Sequence, residues 1–322
     1  LRFFTLLIPS IITIYLVYAV GRDLYNKKTG LIAALMISIY WVFMFYSFRL
    51  LTDVPALFLG MLSIYFFWSQ YITRNKDFGL YLSIFFGVLA FSARFPLALV
   101  LISIAIYLLF IKKITLFKEK TTWKATIVGL IFLAPNIIYF FYTKFGLFSM
   151  YFGKSAVSIK TPIIESFKQF TLLIPELLHS AWFYSLIIGL LVLLSFFLFF
   201  DVVWKQKDKK FNADLFVFLW IIVHVIFYIF ILRAVNDRWI LMLMPALFYV
   251  SANGMLFVYK FIKKYDKNFA IVALLVILLF TCIDRNFCQT KTIITSFQSD
   301  MDGEASLIVI DRETLAVIKK IN

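Results

Sequence analysis

Histidine and cysteine are scarce in this chain, two of each among 322 residues, and each scarcity removes a class of chemistry. His179 and His224 alone cannot build a histidine-rich metal site. His224 lies deep in an apolar run and reads as a hydrogen-bonded packing residue; His179 sits where a long loop re-enters an apolar run and is a candidate substrate contact. Cys282 and Cys288 read as two unrelated thiols, giving neither a disulfide framework nor a metal-ligand spacing. No phosphate-binding glycine loop, dinucleotide fingerprint, metalloprotease helix or nucleophile elbow occurs, and no Asn-x-Ser/Thr sequon. Acidic residues are also lacking inside the apolar runs, Asp201 and Asp214 standing at their edges. That absence argues against the proton or ion relay of a pump.

What is abundant is apolar side chain. Hydrophobic residues make up 63% of the chain and charged residues 15%, where a soluble domain carries about 25% charge. The chain reads as an all-α polytopic membrane protein. Ten apolar runs approach the length a bilayer requires, at about 2-20, 31-47, 54-72, 78-92, 95-111, 124-142, 182-200, 213-232, 238-259 and 268-283. The fourth and fifth are short and separated only by Ser92-Ala93-Arg94-Phe95, so one bent or re-entrant element is an alternative there. No period recurs along the chain, which excludes a repeat array.

If the runs alternate sides, the loops 21-30, 73-77, 112-124, 201-212 and 260-267 share one side and hold sixteen lysines and two arginines. The turns on the other side, 48-53, 92-95 and 233-237, hold only Arg49, Arg94 and Arg233, with Arg238 at the edge of the next run. By the positive-inside rule the lysine side is cytoplasmic. The net charge of +15 is thereby explained without nucleic acid, because the basic residues are split among short loops and form no stripe. One internal loop is long, 143-181, and falls outside; it contains Tyr151, Lys154 and His179, with Pro162 to Phe170 and Leu172 to Leu178 as candidate surface helices. The division is then a transmembrane domain over 1-283 and a tail over 284-322, in which Ser306 to Asp311 reads as a strand and Glu313 to Ile321 as a short helix.

Arginine is the better fork for a phosphate and lysine the simpler topogenic charge, so arginines gathered on the outer side with Asp53 and Asp237 point to an anion site. Their alternative is anchoring at headgroup depth. Arg49-Leu50-Leu51-Thr52-Asp53-Val54-Pro55 interrupts two apolar runs; Thr52 or Asp53 can cap a new helix whose first turn tolerates Pro55. The plain alternative for Asp53 is a helix cap paired with Arg49. For a lipid phosphate the residue types make chemical sense: arginines offset the anion, Trp239 and Tyr151 offer stacking faces, and a carboxylate can take a proton from an attacking hydroxyl. No cofactor is required by the sequence. A divalent cation is left open, since no ligand set with suitable spacing is visible.

Gly21-Arg22-Asp23-Leu24-Tyr25 with Thr29-Gly30-Leu31-Ile32-Ala33-Ala34-Leu35, then Arg49 to Pro55, Ala93-Arg94-Phe95-Pro96, and Asp237-Arg238-Trp239 continuing to Leu247 resemble successive landmarks of GT-C glycosyltransferases. The protein mannosyltransferase and aminoarabinose transferase type is the nearest in pattern, over about residues 1 to 260. This resemblance implies an inverting sugar transfer, on the extracytoplasmic face of a cell membrane, from a polyprenyl- or dolichyl-phosphate donor to a hydroxyl of a protein, lipid or glycan. It implies Asp53 as an acceptor-side or orienting carboxylate and Arg94 and Arg238 as phosphate contacts. Arg49, Asp237, Trp239, His179, Tyr151 and Lys154 are further candidate substrate contacts. The family's principal acidic motif lies in a first outer loop ahead of the helix that residues 2-20 resemble, and the chain opens on Leu1. The expectation is therefore that the general base precedes this sequence. A lipid-linked-substrate flippase and a non-catalytic assembly subunit are the competing classes.

Overall fold

The computed structural model describes residues 3–48, 51–143, 162–177, 180–198, 209–232 and 240–283, and all the regular structure among them is helical. The tail 284–322, with its expected strand and helix, lies outside the described residues, as does 144–161 of the outer loop. In chain order the helices are α1 Ile8–Leu24, α2 Lys27–Ile39, α3 Trp41–Phe48, α4 Asp53–Tyr65, α5 Asp77–Ala93, α6 Ala98–Lys112 and α7 Lys120–Thr143. They continue as α8 Ile163–Leu177, α9 Ser180–Leu198, α10 Lys209–Ile226, α11 Met244–Lys263 and α12 Lys267–Ile283. Short π-helical stretches precede α1 at Phe3–Leu7 and extend α4 at Phe66–Ile72 and α10 at Phe227–Leu232. Each of the ten expected runs is met by a helix or, at 31-47, by the bent pair α2 and α3.

Hydrocarbon offers no partner for a backbone polar group, so each segment closes its own hydrogen bonds. Hydroxyls inside the spans obey the same limit by bonding back one turn: Ser10 Oγ to Leu6 O, Thr13 Oγ1 to Pro9 O and Ser103 Oγ to Leu99 O, each at 2.7 Å. Several helices also begin earlier than their apolar runs. Asn26 Oδ1 accepts from the backbone of Lys28 and Thr29 at 3.0 Å each and starts α2 four residues before the run at 31. Asp266 Oδ1 does the same for α12, from the backbone of Asn268 at 2.7 Å and Phe269 at 3.1 Å.

Because lipid is as apolar as leucine, close backbone approach rather than hydrophobicity selects helix partners. A Cβ on Gly21 would come within 2.8 Å of Gly30 Cα and of the Tyr249 ring, and one on Gly30 within 2.5 Å of Tyr18 O. Tyr249 then reaches across to donate its hydroxyl to Val17 O at 2.9 Å, which fixes α1, α2 and α11 together. On the other side of α11, Gly254 and Gly189 let α9 press onto it so closely that a Cβ on Gly254 would overlap Ser185 O. A Ser185–Ser251 hydroxyl pair at 3.1 Å bridges that contact.

The two ends of the bundle differ. At the end of the lysine-rich loops, Asp23 accepts from Arg22 Nε at 2.7 Å and Ser69 Oγ at 2.6 Å. There too Lys112 donates to Tyr71 Oη at 2.6 Å and Glu119 Oε2 at 2.6 Å. An aromatic cluster of Phe67, Trp68, Tyr107, Phe216 and Trp220 fills the core on this side. At the opposite end stand the starts of α4 and α6 and the ends of α3, α5 and α7.

Two details differ from expectation, and one alternative is settled. The second span is broken at Tyr40, α2 and α3 meeting at 57°, with Tyr40 edge-on to Phe248 at 5.4 Å; no Pro or Gly marks the break. The runs 78-92 and 95-111 are two separate helices, as the ten-run reading has them, and not the single bent element that was its alternative. The two short surface helices expected in the outer loop are one, α8, since Thr171 caps nothing and turns its hydroxyl back to Lys168 O at 2.9 Å.

The glycine contact makes a sharp expectation. Gly254→Val forces α9 off α11 and lowers stability by about 1 to 3 kcal/mol, whereas Ser251→Ala, removing one interhelical hydroxyl contact, costs about 0.6 kcal/mol. Thermal unfolding of the two variants in detergent, followed by circular dichroism, measures the difference; equal losses would remove the close approach as its cause.

Candidate functional site

The first regular residue of α4 is Asp53, with Thr52 at the N-cap position and making no side-chain capping bond. Ala56 N–H still finds Thr52 O at 2.9 Å, and Pro55 occupies a first-turn position whose N–H would have had no intrahelical partner. The carboxylate of Asp53 thus meets the positive end of the helix dipole, but in the interior: its side chain is 2% exposed.

Its partner comes from the turn between α5 and α6. α5 ends at Ala93, and Arg94 leaves the helix in an extended conformation, φ −152° and ψ 118°, while its N–H still bonds Ala90 O at 2.8 Å. A single 3-10 turn over Phe95–Leu97, with Pro96 where no donor is needed, leads into α6. This reversal brings the guanidinium over the start of α4, and Arg94 Nη2 stands 2.5 Å from Asp53 Oδ1. Arg94 retains 20% side-chain exposure. Its Nε is buried and meets no acceptor among the described residues, so the fork is only partly used by Asp53.

The walls beside this pair come from three directions. Phe95 faces Phe91 at 5.7 Å and Phe227 at 6.2 Å between ring centres. Phe227 and Tyr228 form with Leu99 a small core on which Phe170 of α8 is seated, so the outer helix packs against the turn that carries Arg94. From α7, Asn136 donates to Ser92 Oγ at 2.7 Å, and Ser92 in turn donates to Val88 O at 2.9 Å. Asn136 escaped the sequence reading; the signal was a proline and an amide side by side, Pro135-Asn136, inside an apolar run.

Of the residues singled out in the sequence, the structure brings Asp53 and Arg94 together. Arg49, Tyr151, Lys154, His179, Asp237, Arg238 and Trp239 lie outside the described residues. The pairing of Asp53 with Arg94 adds a partner that the helix-cap alternative did not contain. His224 bonds through Nδ1 to Trp220 O at 2.8 Å and packs edge-on to Tyr228. Among the described residues no three His, Cys, Asp or Glu side chains converge as a metal site would require.

With this geometry in place, the likenesses to known proteins can be set beside it. Residues 1–139, the stretch in which Asp53 and Arg94 fall, match the family of dolichyl-phosphate-mannose protein mannosyltransferases, which bears out the family resemblance over that stretch. An uncharacterised protein of Aquifex aeolicus is 27% identical over 214 residues, 65% of this chain and 40% of that one. The crystal structure of ArnT from Cupriavidus metallidurans in the apo state aligns with 78% of this chain and 44% of its own at a TM-score of 0.47 and 15% identity. The chain thus spans less than half the length of these relatives.

Removing one partner of a buried ion pair leaves the other charge stranded. Asp53→Asn therefore lowers stability by about 3 to 5 kcal/mol, and Asp53→Asn combined with Arg94→Met recovers most of it. Unfolding of the single and double variants in detergent provides the comparison; additive losses would show that the two groups do not act as a pair.

Proposed function

We propose, taking the family match of residues 1–139 as premise, that this chain is part of a GT-C membrane glycosyltransferase. It transfers a mannose-like sugar from a polyprenyl-phosphate donor to a hydroxyl of a protein, lipid or glycan, with inversion, on the extracytoplasmic face. The observation that carries the reading is the partly used guanidinium of Arg94, held by a buried carboxylate at the end of the bundle opposite the lysine-rich loops.

In this reading Arg94 contacts the donor phosphate and Asp53 orients it. An arginine tethered by one nitrogen keeps its remaining donors aimed in a fixed direction, which suits an anion that changes little in position while its charge grows. The acceptor oxygen attacks the anomeric carbon from the face opposite the phosphate; the carbon–oxygen bond to phosphate breaks and its electron pair leaves with the phosphate. The hydroxyl proton passes to a carboxylate base. Asp53 Oδ1 is already engaged by Arg94, so the base is assigned elsewhere, in keeping with the acidic outer loop that the family resemblance implies. Arg238 and Arg49 supply further positive charge, with His179, Asp237, Trp239, Tyr151 and Lys154 lining the sugar or acceptor.

A flippase would use a broken helix with polar groups at the break. The break at Tyr40 is instead packed with aromatic and aliphatic side chains, among them Phe43 and Phe248, all buried.

Two measurements test the proposal. In membranes carrying the full-length gene product and a radiolabelled polyprenyl-phosphate mannose, Arg94→Ala reduces transfer by about a hundredfold to a thousandfold, and Arg94→Lys does not restore it because an ammonium cannot serve the carboxylate and the phosphate as one fork. Unchanged transfer in Arg94→Ala would overturn the assignment. For sidedness, with Cys282 and Cys288 changed to Ser, an impermeant thiol reagent added outside labels Thr52→Cys and not Lys118→Cys, both positions being exposed.

A further inference from the structure

At the lysine-rich end, far along the helices from Asp53 and Arg94, the bundle contains a cavity of about 380 Å³. It opens between the link from α1 to α2, α9, the first turns of α10, and α11. Leu24, Val192, Leu193, Leu256 and Phe257 give it apolar walls. Its polar groups are graded in depth. Asp214 is buried at 6% exposure and the Tyr25 hydroxyl is buried as well, whereas Asn26 and Lys260 are exposed at the mouth. Asn253 also lines it, and its Oδ1 accepts from Thr29 Oγ1 at 2.9 Å. Lys28 lies near the same mouth, over the Tyr259 ring at 5.7 Å.

We propose that this cavity binds the headgroup of an aminophospholipid in the leaflet on the lysine side, with the ammonium directed to Asp214 and the phosphate held by Lys260. The order of charges is the first reason. A negative group inside and a positive group at the rim match a ligand that is cationic at its tip and anionic where it joins the bilayer. The number of charges is the second. One carboxylate with neutral oxygens suits a monovalent ammonium, and no second or third acidic ligand converges there among the described residues, as a divalent ion would need. Size and place complete the argument: the volume is that of a small-ligand site, and half-buried Val192 and exposed Phe257 continue the cavity into the apolar surface of α9 and α11, along which an acyl chain would run. Burial first, and then the charge of Asp214, hold the Tyr25 phenol well above its ordinary range, so it stays a hydroxyl that can share hydrogen bonds with an ammonium.

A primary ammonium donates hydrogen bonds to a buried carboxylate and a quaternary one has none to give. The test therefore uses two lipids with identical acyl chains, phosphatidylethanolamine and phosphatidylcholine, offered in equal amounts to the full-length protein in mild detergent. Retained lipid is counted by mass spectrometry after purification. The wild type retains phosphatidylethanolamine about tenfold over phosphatidylcholine, the effect of one charge-assisted hydrogen bond. Asp214→Asn brings that ratio to about one, and Lys260→Ala lowers retention of both lipids. Val192→Trp, which fills the mouth without altering any charge, excludes both, and it carries the test if Asp214→Asn does not fold. Equal retention of the two lipids by the wild type, or selective retention that survives Val192→Trp, would overturn the proposal.

Discussion

In hydrocarbon, a polar group without an internal partner costs several kcal/mol, and most of what is distinctive in this structure follows from that constraint. Backbone groups are satisfied by making every described segment a helix. Hydroxyls turn back on their own helices, as Ser10, Thr13 and Ser103 do. Helices touch where glycine lets backbones meet, because no apolar surface is hidden from water by doing so. An acid in such a bundle must be answered by a base, and the answer to Asp53 is Arg94, in the turn between α5 and α6 and 41 residues later.

That ion pair shows why the turn between α5 and α6 is built as it is. Arg94 reaches Asp53 because α5 stops at Ala93 and the chain reverses in a single 3-10 turn. The short connection keeps the guanidinium over a carboxylate that is 2% exposed, where water competes little for it. The same compactness puts Phe95 against Phe227 and, through that small core, the outer helix α8 against the arginine turn. Helix α8 and the ion pair therefore share a wall, and a shift in one is felt by packing at the other.

Much of this was legible in the sequence, for reasons that can be named. The spans were visible because twenty apolar residues have few uses other than crossing a bilayer, and the lysine count separated the two sides. Asp53 and Arg94 drew notice as charges stranded between apolar runs, but nothing in their spacing said that they would meet, since pairing depends on how α5 packs on α4. Helix starts were placed late, at 31 instead of Lys27, because apolar runs do not register a polar first turn; Asn26 followed by Lys28 and Thr29 held the missing signal. The break at Tyr40 had none of the usual marks, and Tyr40 and Trp41 are residues that an unbroken helix accommodates equally well. The cavity beside Asp214 was hidden for a different reason: its lining comes from four separated stretches, and Asp214 by itself looked like an ordinary charge at a membrane edge.

The break at Tyr40 also has a consequence for depth. Eight helical residues rise about 12 Å, but α3 leaves α2 at 57°, so along the direction of α2 it gains only about 6 to 7 Å. The end of this span is drawn inward by about 5 Å relative to a straight helix, and α4 begins five residues further on. Coulomb attraction strengthens as the surrounding dielectric falls. A bend made of aromatic, uncharged residues thus shortens this span along α2 just ahead of the helix whose first residue, Asp53, is held by Arg94 out of reach of water.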